Sequence, residues 1–76
     1  MNTENKMKYV VIEIQNTGDS IATIVTDHDD RNAADSKFYS VLAAAAVSKV
    51  PKHAASLLTE EGRCLKSEYY EHEEEE

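Results

Sequence analysis

One cysteine, one proline, two glycines, one phenylalanine and no tryptophan occur in 76 residues, and each shortage removes a class of protein. A lone thiol, Cys64, excludes an intrachain disulfide, so the fold needs no oxidising compartment, and the residue reads as a small half-buried hydrophobe. Gly18 and Gly62 stand too far apart to build a phosphate-cradling loop. The opening MNTENKMKYV lacks the apolar core of a signal peptide, and no apolar run approaches the roughly 20 residues of a membrane span. These absences predict a cytoplasmic protein with no membrane segment.

What is present is a globular composition, 41% hydrophobic and 30% charged. A domain this short buries only about three-fifths of its unfolded surface, and such a core seldom supplies more than about 3–5 kcal/mol. With no disulfide to supplement it, a partner chain is expected. Net charge is −7, yet Glu68, Glu71, Glu73, Glu74, Glu75 and Glu76 all follow Ser67, leaving 9 acidic against 8 basic residues before them. A nucleic-acid mimic needs carboxylates spread over a rigid surface, whereas a terminal glutamate run is a solvated end. The basic residues are dispersed, which argues against nucleic-acid binding.

Residues 1–7 read as a frayed lead-in, 8–70 as a single domain and 71–76 as an acidic disordered tail. KYVVIEIQ, residues 8–15, is rich in β-branched residues and predicts a strand, with Val10, Ile12 and Ile14 on one side and Tyr9, Val11, Glu13 and Gln15 on the other. After the turn cluster Asn16 to Ser20, residues 21–26 form a second strand and pair with the first. Asp29 or Asp30 caps a helix running from about Arg31 to Lys49, where Pro51 holds Val50 extended and stops it. Its apolar stripe is Ala34, Phe38, Val41, Leu42, Ala45 and Ala46, with Phe38 as anchor.

Residues 53–59 and 63–70 flank Glu60, Glu61 and Gly62, which predicts a three-residue hairpin loop with Gly62 left-handed. In that register Leu57 faces Leu65 and Ala55 faces Ser67, while Lys66 and Glu68 point away from the helix; a two-residue loop instead sets Leu58 opposite Leu65 and moves the faces by one. The fold class is α+β: a two-layer ββαββ domain with one helix on a largely antiparallel four-stranded sheet, in strand order 2-1-3-4.

One helix covers one sheet face. Tyr9, Val11, Leu58 and Cys64, with Ile24 or Val25 and Tyr69 or Tyr70, are expected on the other, Val25 and Tyr70 foremost within those pairs. Such a patch marks an interaction surface, and a two-fold homodimer needs only one self-complementary patch. No chemistry competes. His28, His53 and His72 lack zinc-site spacing, and the acidic run from Asp27 has Arg31 and Asn32 where a calcium loop needs a carboxylate or amide and then glycine. Ser36, Ser40 and Ser48 sit in no nucleophile elbow. No cofactor, no metal and no catalysis are expected.

In overall pattern KYVVIEIQ, VLAAAAVSKVPKHAASLL and the closing hairpin resemble small uncharacterised proteins encoded in prophages and integrated elements of gut Firmicutes, over Lys8 to about Tyr70. The resemblance implies a phage-type cytoplasmic accessory protein and assigns no site residue. Two functions follow: a homodimeric protein–protein interaction module using the helix-free face, or an acidic inhibitor of a host nucleic-acid-processing or defence enzyme, which would make a host protein the partner.

Overall fold

The computed structural model of the chain describes residues 7–72. The lead-in up to residue 6 and the glutamates from residue 73 onward lie outside them. The elements are β1 (Tyr9–Asn16), β2 (Ile21–His28), α1 (Arg31–Ala46), β3 (Lys52–Thr59) and β4 (Cys64–Glu71). All strand pairs are antiparallel, in the order β2-β1-β3-β4. The α+β ββαββ arrangement read from the sequence is the one observed.

Each hairpin turns on its glycine. Thr17 N–H donates to the Ser20 carbonyl at 3.0 Å, and of the two residues between them only Gly18, at φ 99°, has positive φ. That is the pattern of a II′ turn, whose twist suits the flanking strands. In the second hairpin Thr59 N–H bonds the Arg63 carbonyl at 2.9 Å, and Gly62, at φ 93°, donates back to the Thr59 carbonyl at 2.8 Å.

The Asp30 carboxylate caps α1, accepting from Ala33 N–H at 2.8 Å. The helix stops at Ala46, short of the expected Lys49. Val47 and Ser48 donate to the Ala44 and Ala45 carbonyls, a tightened last turn, and Ser48 Oγ then accepts from Val50 N–H at 3.0 Å. Because Val50 is held extended before Pro51, the chain must leave the helix earlier to enter β3 at Lys52.

Between helix and sheet lie Val11, Ala34, Phe38, Val41, Ala55 and Leu57, with Tyr9 and Leu42 packed beside them. The structure departs from the sequence pattern in two places. Val11 is 1% exposed and Tyr9 shares its face, so this side of β1, not Val10, Ile12 and Ile14, meets the helix. Alternation separates the two sides of a strand, but when both are apolar it does not say which is covered.

The second departure is in β4. Leu58 pairs with Cys64 as expected, but an irregularity there makes Leu57 pair with Lys66, Ala55 with Glu68 and His53 with Tyr70. One extra residue, Leu65, has entered the strand, and every later side chain changes face. Lys66 and Tyr70 therefore lie on the helix side. β4 continues through Glu71, and His72 N–H donates to the Pro51 carbonyl at 2.8 Å, so order extends past the point where the sequence reads as tail.

Candidate functional site

The helix-free face is built from alternate residues of all four strands. The register sets Val25, Ile12, Ser56 and Ser67 in one row and Thr23, Ile14, Ala54 and Tyr69 in the next. A third row holds Asp27, Val10, Leu58 and Cys64, and a fourth holds Ile21, Asn16, Lys52 and Glu71. Val10, Ile12 and Ile14 run along β1 beside Val25 and Ile21 of β2, with Thr23 between those two, whereas Ser56 and Ser67 hydrogen-bond to each other at 3.2 Å on the β3 and β4 half. Charges sit only at the two ends. A shallow concavity of about 190 Å³ opens near one end, among Ile14, Asn16, Ile21, Lys52, Ala54 and Tyr69.

Of the residues singled out from sequence, Val25, Leu58 and Cys64 lie together on this face, with Val25 59% exposed. Tyr9, Val11 and Tyr70 do not. Their places are taken by Val10, Ile12, Ile14 and Tyr69. Those residues carry no sequence signal for their side, because the bulge that turns Tyr69 outward has no glycine to announce it.

Polar groups on the helix side are consumed in holding the layers together. His53 Nε2 donates to Glu13 Oε2 at 2.7 Å beneath the helix, and Gln15 Nε2 donates to the same oxygen at 2.9 Å. Burial would raise the Glu13 carboxyl, but these hydrogen bonds and the His53 charge hold it below its ordinary value. His53 Nδ1 is buried with no partner among the described residues. The other histidines are engaged elsewhere: His28 with Thr26 Oγ1, and His72 with the Ala45 carbonyl near the helix end.

Lys66 ties β4 to α1. Its ammonium donates to Tyr39 Oη at 2.6 Å and Asp35 Oδ1 at 3.3 Å, 4.5 Å from the Tyr39 ring centroid. The Tyr39 hydroxyl raises the Lys66 ammonium above its ordinary value, and Asp35 acts in the same sense against the effect of burial. At Asp35 burial is outweighed by Arg31 and Lys66, which lower the carboxyl. The part-buried dyad and this clamp at the margin of the helix layer join elements of the chain to one another, leaving the open sheet face as the candidate site.

The fold and this face together define an α+β layer pair with one sheet surface uncovered among the described residues. Among those residues no helix is long and apolar enough to cross a membrane. No protein-family model matches the chain, and neither does any curated protein or solved structure.

Proposed function

We propose that this chain is a non-enzymatic protein–protein interaction module that forms a homodimer through its helix-free sheet face. It acts as a cytoplasmic accessory protein of the prophage type that its sequence pattern resembles. One observation carries the reading: Val10, Ile12, Ile14, Ile21 and Val25 share one face of adjacent strands with no layer over them among the described residues. A continuous apolar surface of this kind is unfavourable in water and is relieved by association. Packing it against its own copy buries both patches with a single self-complementary contact.

The test is a contrast between neighbours on β1. Ile12→Glu puts a charge in the middle of the free face, and the expected result is half the wild-type mass by light scattering with unchanged circular dichroism. Val11→Glu puts the same charge under the helix and is expected to unfold the chain. A wild-type protein that is monomeric at micromolar concentration, or an Ile12→Glu variant of wild-type mass, overturns the reading.

A further inference from the structure

The two edges of the sheet are unlike. β4 carries Lys66, Glu68 and Glu71 and is bent by the irregularity opposite Leu58, all devices that discourage strand addition. β2 has none of them from Ile21 to Thr26: no charge, no proline, no bulge, and a full-length register with β1. It also shows apolar side chains on both faces at once. Ile21 is 63% and Val25 59% exposed on the helix-free side, and Ile24 is 44% exposed on the helix side, where α1 lies mainly over β3 and β1. A partner stacked on either face covers only one of these sets. A strand added in the plane of the sheet adjoins both.

The phase of the backbone follows from the turn. Because Thr17 and Ser20 form a hydrogen-bonded pair, alternation makes Ala22, Ile24 and Thr26 bond to β1, while the N–H and C=O groups of Ile21, Thr23, Val25 and Asp27 point outward. We infer that this edge pairs antiparallel with the same edge of a second copy, joining two sheets into one of eight strands. A two-fold axis perpendicular to the sheet keeps both helices on one side. In the register with Ile24 opposite its own copy, Thr23 faces Val25 and Ile21 faces Asp27, so every outward group between Ile21 and Asp27 has a partner. The two Ile24 side chains meet in a non-hydrogen-bonded pair, the closer kind, beside the helices.

Charge selects the same occupant. The paired segments carry one charge each, Asp27, which in this register faces Ile21 of the other copy, so no like charges stand in opposition along Ile21 to Asp27, whereas β2 against β4 of another copy meets a charged, irregular edge. The contact closes on itself instead of running into a filament. Its axis is perpendicular to that of a face-to-face dimer, so the two contacts can coexist in a tetramer, yet neither requires the other.

Amide hydrogen exchange on the full chain reads the edge directly. The expected result is protection of Ile21, Thr23, Val25 and Asp27 at high concentration that disappears on dilution, with Ala22, Ile24 and Thr26 protected throughout. Thr23→Pro deletes one outward N–H and leaves the β1 ladder whole; it is expected to halve the mass and abolish protection at Ile21 and Val25. Ile12→Glu is expected to leave the edge protection intact. Alternating protection that persists at high concentration overturns the inference, whether or not the variant folds. So does protection of the outward amides in a species of monomer mass, which would mean that the chain's own terminal residues cover the edge.

Discussion

Glu13 is a carboxylate on the side of β1 that also carries the buried Val11. Its charge is tolerated on the helix side of β1 because His53 and Gln15 supply hydrogen bonds there, and together with the His53 charge they outweigh the desolvation that burial imposes. A carboxyl held below its ordinary value near 4.5 contributes stability that is present above that pH. The contribution is lost as pH falls through the lower folded-state value. Glu13→Gln keeps an acceptor for His53 but removes the charge. Urea midpoints measured from neutral pH downward are therefore expected to fall less steeply in the variant than in wild type below about 4.5. Identical acid limbs would show that the dyad does not couple folding to protons.

Among the elements, the helix and β4 illustrate how short-range signals succeed and fail. The cap is local: Asp30 Oδ1 accepts from Ala33 N–H, and Asp30→Ala is expected to lower stability by about 1 kcal/mol in denaturant titrations. Asp29→Ala, one residue outside, serves as the control with no comparable loss. The helix end was legible to within one turn, since Pro51 and the extended Val50 before it set an outer limit that the tightened turn at Ala44 to Ser48 undercuts. In β4 the loop was legible from Gly62, but the faces beyond it were not. Leu65 enters as an extra residue, and Lys66 then reaches Tyr39 and Asp35 on α1, contacts that lie 27 and 31 residues away along the chain. No pattern within a single hairpin encodes partners at that distance.

Considered as one object, the protein is a thin core with an underside that no other described residue covers. Phe38 is the bulkiest fully buried side chain, and replacing it by alanine is expected to cost about 3–5 kcal/mol. For a domain of this size that approaches the whole stability, so Phe38→Ala should be largely unfolded by circular dichroism at room temperature; a native spectrum with a sharp melt would contradict so thin a core. Association adds to the same balance, because any contact made only by the folded chain raises apparent stability with protein concentration.

Strand and helix periodicity, a cap at Asp29 or Asp30, the two glycine turns and Pro51 were sufficient to specify five elements and their order, because each depends on neighbours a few residues apart. The helix stripe of Ala34, Phe38, Val41 and Ala45 was equally plain. Which side of β1 it would cover was not, since Val11 and Ile12 are both β-branched, apolar and fit either layer. That choice, the phase of β4 after Leu65 and the place of β2 at the sheet edge arise from packing and pairing between segments distant in the chain, where residue type alone carries no address.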